Sequence, residues 1–311
     1  MVSRKISLET IFHFTSSKKK IIHKEESKMN YFEHRYEMRR LAINHHTIME
    51  EKLDSYTRYS VSNAIIYRGN IPKLKDEIFL SSEPSIVIKF IDATSIGCIN
   101  NFLFQLSHDS WNWNRVALLN FASYKNPGGM YIEGSSAQEE SICHATNLYE
   151  ILSQFPEYYN KNKEALMKGL YTDAALYTPR VVTDYSTNEF KELIPTGFTN
   201  IITCAAPNKR TYLRFNLTKN NKNELEEENF RVLAKRVKFI IDICTANNIR
   251  YLVAGAYGTG VFGQNPMEVA LAFKEAIKTS RTLDAVFFPI PGNDKTSAMK
   301  SILGETIERE V

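Results

Sequence analysis

Apolar and polar residues alternate between two periods along this chain. Five short runs are almost continuously apolar: residues 85–91, 116–121, 200–206, 250–255 and 283–290. Runs of that length and density predict strands buried on both faces of a sheet. Residues 61–67 predict an edge strand, and 176–184 a short strand and turn. Elsewhere the apolar positions recur at helical spacing. In 31–56, Met38, Leu41, Ala42, Ile48, Met49 and Leu53 are separated by Arg39, Arg40, Glu50, Glu51 and Lys52, the stripe of an amphipathic helix. Helices are also predicted over 96–106, from 137 to 153, over 224–246 and over 266–278, the last with Pro266 in its first turn, where a missing N–H costs nothing. The polar, basic stretch 209–223 predicts a loop. Strands and helices alternate through short glycine turns. That pattern predicts a three-layer α/β/α sandwich with a mostly parallel central sheet and an N-terminal helical extension.

Composition narrows this picture. The chain has 311 residues, 43% of them hydrophobic, enough for one large core. The domain is expected over 31–311, with the helix 31–56, a core 61–290 and a C-terminal tail 291–311. Residues 1–30 read as a basic, disordered tail. Seven Lys and Arg against three Glu within 1–28 account for the whole net charge of +4. The remainder is neutral overall, so no sequence-specific nucleic-acid surface is expected. Cys98, Cys143, Cys204 and Cys244 are far apart and form no C-x-x-C pair. They read as reduced, buried thiols of a cytoplasmic or nuclear protein. No histidine has metal-ligand spacing to a cysteine, so no metal site is expected. No segment is long and apolar enough to span a membrane. His45 and His46 would point about 100° apart on a helix, and both are expected at the surface or half-buried.

Chemistry concentrates in two glycine loops. The first, Asn126-Pro-Gly128-Gly129-Met130, follows the strand 116–121 and leads through Ser136-Ala-Gln138-Glu139-Glu140 into a helix. The second, Gly258-Thr259-Gly260-Val261-Phe262-Gly263, follows the strand 250–255. In a parallel sheet both loops open on one edge, the edge at which such sheets bind ligands. Glycines beside a helix start let backbone N–H groups face an anion such as a diphosphate; the alternative is a pair of plain tight turns. The second loop lacks G-x-x-x-x-G-K-[ST], which excludes a P-loop. Ser136-Ala-Gln-Glu139 fits a capping box, so Glu139 has a structural explanation. Glu140 has none and is the better catalytic candidate. Adjacent carboxylates cannot flank a glycosidic bond from opposite sides as two-carboxylate glycosidases require. Asp92, at the end of the strand 85–91, is a site candidate by position, with a helix cap as the more economical reading.

These residues together resemble the microbial, or bacterial-type, poly(ADP-ribose) glycohydrolases, a branch of the macrodomain fold. The match consists of Leu119-Asn-Phe-Ala, Asn126-Pro-Gly-Gly129, seven residues from Tyr131 to Ala137, then Gln138-Glu139-Glu140. Ala205-Ala-Pro-Asn208, the second glycine loop and Val286-Phe-Phe follow in colinear order. The resemblance implies a pocket for ADP-ribose lined by Asn120, Asn126, Gly128, Gly129, Gln138, Gly258, Thr259, Gly260, Val261, Phe262 and Gly263. It implies Glu140 as general acid and base, Glu139 on the ribose hydroxyls, and no cofactor or metal. Poly(ADP-ribose) or ADP-ribosylated proteins would be the partners of a monomeric enzyme. Removal of single ADP-ribose units from proteins and non-catalytic ADP-ribose reading are the alternatives. Three departures from the family pattern stand out: Met130 in place of the third glycine, His144 and Ala145 where relatives often carry arginine, and Tyr257 in place of a tryptophan. A side chain at 130 is expected either to crowd the loop or to force a backbone angle that glycine accepts freely.

Overall fold

A computed structural model of the protein describes residues 31–69, 71, 80–106, 113–164, 168–188, 192–292 and 294–310. The basic segment 1–30 lies outside them. The helical extension is longer than its apolar stripe. Helix α1 spans Tyr31–Ser62, because after Leu53 its buried face continues with the small polar residues Thr57 and Ser60. Thr57 accepts a hydrogen bond from Asn147 (2.9 Å), and Ser60 donates to the Arg180 carbonyl (3.1 Å). An apolar count misses such a face. The edge strand predicted at 61–67 therefore starts later, as β1, Ile65–Arg68.

The sheet then takes β2 (Ser85–Ile91), β3 (Val116–Phe121), β4 (Ala174–Thr187), β5 (Leu193–Cys204), β6 (Tyr251–Val253), β7 (Ala285–Pro289) and β8 (Thr306–Glu308). Their spatial order is β1-β4-β5-β3-β6-β7-β2-β8. The five central strands are parallel, and β1, β4 and β8 are antiparallel additions. β3 is buried along nearly its whole length, as a continuous apolar run predicts. Its residues alternate between two cores. Ala117 and Leu119 join one, and Val116 and Leu118 the other.

The helices cover both faces, which makes the three-layer sandwich expected. One face carries α1, α2 (Ser95–Leu106), α3 (Gln138–Ala145), α4 (Leu148–Leu152) and α5 (Pro156–Lys163). The other carries α7 (Lys222–Ala246), α8 (Pro266–Lys278) and α9 (Asp294–Leu303). Helix α6, Lys209–Asn216, occupies part of the stretch expected as a loop; the Asn208 side chain caps it by accepting from the Thr211 N–H at 3.0 Å. The strands expected at 176–184 and 200–206 are halves of a long antiparallel hairpin. Its outer parts are only partly buried, and register shifts interrupt it near Arg180, whose φ is 58°. Such a strand lacks a clean period of two. The tail expected at 291–311 is α9 and β8. Ile307 is buried and pairs with Ile86, closing the β2 edge.

Candidate functional site

β3 and β6 are parallel, so the loops that follow them leave the sheet on the same edge, as expected. The two strands part there. β6 pairs with β3 only as far as Val253, and the Ala254 N–H turns to the Phe287 carbonyl of β7. β3 runs on to Phe121 beside β5. The backbone groups of Leu119 and Phe121 that face the gap are met by one side chain. Gln138 accepts from the Phe121 N–H at 2.8 Å and donates to the Leu119 carbonyl at 2.9 Å and to Ser95 Oγ at 3.1 Å. Its amide occupies the place of a parallel-strand residue and anchors the start of α3 to the end of β3. Expected among the ligand groups, Gln138 is held as a strut.

The anchored helix start sets the two acids. Glu139 makes no capping box: Ala137 is the N-cap, without a side-chain cap bond. Its carboxylate turns into the protein instead, accepting from the Ser123 N–H (2.6 Å) and from Asn120 Nδ2 (3.2 Å). The Gly128 N–H adds a further bond. Glu139 is buried. Burial pushes its carboxyl up, to about 8, against the pull of the Ser123, Asn120 and Gly128 donors and with some help from the Glu140 charge. Asn120 is fully buried and its Oδ1 has no partner among the described residues. Turned over, the same amide would present Oδ1 to a protonated Glu139 and to the Thr203 hydroxyl, which now lies 3.3 Å from Nδ2. Either protonation state of Glu139 thus finds a complement in one residue.

Glu140 points the other way around the helix, as a 100° step requires. Its Oε1 accepts from the Met130 N–H at 2.9 Å. The first loop closes over it in tight turns, with Gly129 N–H to the Asn126 carbonyl (3.1 Å), Tyr131 N–H to the Gly128 carbonyl (3.1 Å) and Ser135 N–H to the Met130 carbonyl (3.0 Å). Asn126 also donates its own N–H to Ser123 Oγ at 3.2 Å. Gly128 and Gly129 take φ of 63° and 64°. A Cβ on Gly129 would collide with Glu140 Oε1, and one on Gly128 would stand 2.8 Å from the Tyr149 ring. Met130 does not crowd the loop. It is absent from the positive-φ residues, and its side chain is 43% exposed. The fold needs no glycine at the third position.

The second loop stands on scaffolding built by Ala205-Ala-Pro-Asn208. Arg236, fully buried, donates to the Ala205 carbonyl (2.5 Å), and Gln264 donates to the Pro207 carbonyl (2.7 Å). Gly258, φ 73°, lies where a Cβ would press on Ala206 and Gln264, and Gly263, φ 72°, lies against Arg210. Thr259 spends its hydroxyl on the Ala256 carbonyl at 3.0 Å. Gly260 has open space and Val261 is 72% exposed, so these two form the free tip. Tyr257 is wholly buried and packs on Phe121 at 5.7 Å; it belongs to the core. Phe262 is half-buried and meets Tyr171 at 6.1 Å, and Tyr171 stacks at 4.1 Å on Tyr124, two residues ahead of the first loop. This row of rings links the two loops and was not legible in sequence, because Tyr124 and Tyr171 lie far apart in the chain. Asp92 caps no helix. It is exposed, its Oδ1 accepts from the Gly292 N–H at 3.1 Å, and Thr94 caps α2 through the Gly97 N–H at 3.1 Å.

His45 departs from expectation and His46, half-buried, keeps to it. His45 is buried, its Nδ1 lying 2.8 Å from the Tyr131 hydroxyl, and burial holds it neutral with a pKa of about 3. His46 is half-buried and lies 2.9 Å from Glu150, whose carboxylate raises its pKa. His144 is also buried, which lowers it to about 4. Among the described residues no group of His, Cys, Asp and Glu could hold a metal ion, and no helix is long and apolar enough to cross a membrane. All four cysteines are free and buried.

The family of microbial-type PARG catalytic domains matches residues 52–183. No curated protein matches the chain. Among solved structures, the poly(ADP-ribose) glycohydrolase of Thermomonospora curvata is similar at 23% identity and a TM-score of 0.67, over 86% of this chain and 98% of that one. The same enzyme bound to the inhibitor ADP-HPD matches at 22% identity and a TM-score of 0.65, over 86% and 99%. The poly(ADP-ribose) glycohydrolase of Deinococcus radiodurans in complex with ADP-ribose matches at 23% identity and 0.61, over 80% and 97%.

Proposed function

We propose that the protein hydrolyses poly(ADP-ribose) to ADP-ribose, a reading supported by the match of residues 52–183 to the microbial-type PARG catalytic-domain family. One observation carries the reading: Glu139 and Glu140 stand buried side by side under the Gly128-Gly129 turn, at the edge where the second glycine loop also opens. Such an edge suits a diphosphate between two sets of backbone N–H groups. An ADP-ribose unit lies there with its distal ribose toward the acids. Phe262, resting beside Tyr171, packs against that ribose.

Glu140 is the general acid. It gives its proton to the 2′-oxygen that leaves the neighbouring ribose as the bond from C1″ to that oxygen breaks. Positive charge develops at C1″ and is stabilised by the substrate's own diphosphate. The Glu140 carboxylate then takes a proton from water, and the hydroxide attacks C1″. The products are ADP-ribose and a polymer end with a free 2′-hydroxyl, and Glu140 regains its proton. The Met130 N–H fixes which Glu140 oxygen is free to act. The resemblance gives Glu139 the ribose hydroxyls, which its carboxylate reaches on leaving the inward bonds to Ser123 and Asn120. The substrate is polymer or ADP-ribosylated protein.

The test is release of ADP-ribose from polymer and from mono-modified protein, measured side by side. Wild type is expected to shorten the polymer. Glu140→Gln is expected to lower turnover by about a hundredfold or more, the order of a lost general acid, while ADP-ribose still binds. Binding by wild type without release from either substrate would make the protein a reader. No binding at all would end the assignment.

A further inference from the structure

Helix α1 begins ahead of the family match, which starts at residue 52. Yet α1 grips the first glycine loop from behind at several points, all of them before residue 52. Arg35 Nε donates to the Glu133 carbonyl at 3.0 Å. Gly134, φ 80°, has no room for a Cβ against the α1 backbone at Arg35 and Arg39. Tyr131 is 1% exposed, and its hydroxyl donates to the Ala42 carbonyl at 3.0 Å. A tyrosine hydroxyl has one proton. With that proton on Ala42, the 2.8 Å contact to His45 has to be His45 Nδ1–H donating to the Tyr131 oxygen. His46 and Tyr149 stand on the other flank, their rings 5.2 Å apart, and Tyr149 faces Gly128.

Tyr131 follows Met130 directly, and the Met130 N–H is the group that holds Glu140. One peptide therefore separates a fully buried, doubly hydrogen-bonded anchor from the donor on the proposed acid. We infer that His45 and Tyr131 are positioning residues for Glu140: α1, through the His45–Tyr131–Ala42 bonds, sets where the Met130 N–H stands. Neither side chain touches substrate. Loss of their bonds lets the 128–134 turn drift, the Met130–Glu140 bond loosens, and the acid loses its orientation. Misplacement of a reacting group by about 1 Å costs on the order of a hundredfold in rate. A loosened turn that is not lost should cost about tenfold.

The rate arm of the test rests on the hydrolase reading; the exchange arm does not. The full chain is labelled with 15N-methionine, and amide hydrogen exchange is followed at Met130, identified by its loss in Met130→Leu. Met299, fully buried in α9 on the opposite face, reports global stability. In Tyr131→Phe and His45→Leu, Met130 exchange is expected to rise at least about tenfold while Met299 is unchanged. Turnover is expected to fall about tenfold, and ADP-ribose affinity to change by less than about threefold. His45→Asn, which returns an N–H near the place of Nδ1–H, should recover most of both effects. Parallel rises at Met130 and Met299 would reduce the pair to ordinary core packing and overturn the inference. So would unchanged Met130 exchange in both variants. If wild type proves inactive on polymer and mono-modified protein, the hydrolase reading falls alone, and the exchange result still decides the positioning role.

Discussion

Gly129 and Met130 are neighbours with opposite demands. Gly129 holds φ at 64°, and its missing Cβ leaves the space that Glu140 Oε1 fills. A left-handed backbone costs an L-residue about 1–2 kcal/mol, and the collision adds to that. Gly129→Ala is therefore expected to lose about 2 kcal/mol in denaturant unfolding. Turnover should be reduced beyond the effect on stability, because the carboxylate that must move aside is the proposed acid. Met130 has no such constraint: only its N–H is used, and its side chain is 43% exposed. Met130→Gly and Met130→Ala should leave ADP-ribose release within about threefold of wild type. A tenfold gain in Met130→Gly would mean that the side chain obstructs the site after all. Sequence comparison marks the residue as an exception, but it cannot say that the φ at this step is ordinary.

At the scale of elements, the crevice exists because β6 is short. Its three residues pair with β3 on one side and β7 on the other, and beyond Val253 only the bond to β7 continues, which leaves the last part of β3 without a strand neighbour on that side. Gln138 supplies the missing bonds and in doing so fixes the helix start that carries both acids. Gln138→Ala would leave a backbone N–H and a carbonyl without partners, at about 1–3 kcal/mol. The loss should be accompanied by weaker ADP-ribose binding, since Glu139 and Glu140 move with the helix start. Calorimetry of unfolding and of ADP-ribose binding checks both. A variant of wild-type stability would show that water or another group replaces the amide. Glu139, too, changes meaning at this scale. Its spacing from Ser136 fits a capping box, but the carboxylate joins the ends of two elements, β3 through Ser123 and the glycine turn through Gly128.

For the whole molecule, buried titratable groups set opposing limits on stability. The folded pKa of Glu139, about 8, lies above its ordinary value of 4.5. The unfolded chain releases that proton first, so this group's contribution is fully present below about 4.5, falls as pH rises, and is lost above about 8. His45 and His144 are lowered, to about 3 and about 4. The unfolded chain takes up their protons first, so their contribution is present above about 6.5 and is lost as pH falls through the window below it. Thermal unfolding midpoints should therefore pass through a maximum in the weakly acidic range. Glu139→Gln should flatten the alkaline side, and His45→Asn the acid side. A Glu139→Gln profile parallel to wild type above pH 6 would mean that Glu139 is ionised throughout.

The sequence by itself determined the layers, the parallel centre and the two glycine loops, because buried strands and helix stripes write their periods into the chain and glycine marks backbone that other residues avoid. It also brought Glu139 and Glu140 to one helix start, since adjacency is a sequence property. What only the tertiary structure decided is which partner each polar group takes. Gln138 completes a strand, Glu139 turns inward to Ser123 and Asn120, and His45 lies buried on Tyr131. The segment 291–311 closes the sheet as α9 and β8. Those outcomes depend on hydrogen-bond partners far away in sequence, on a strand that ends early and on a helix face made of Thr57 and Ser60. A local pattern of apolar and polar positions carries no record of such pairings.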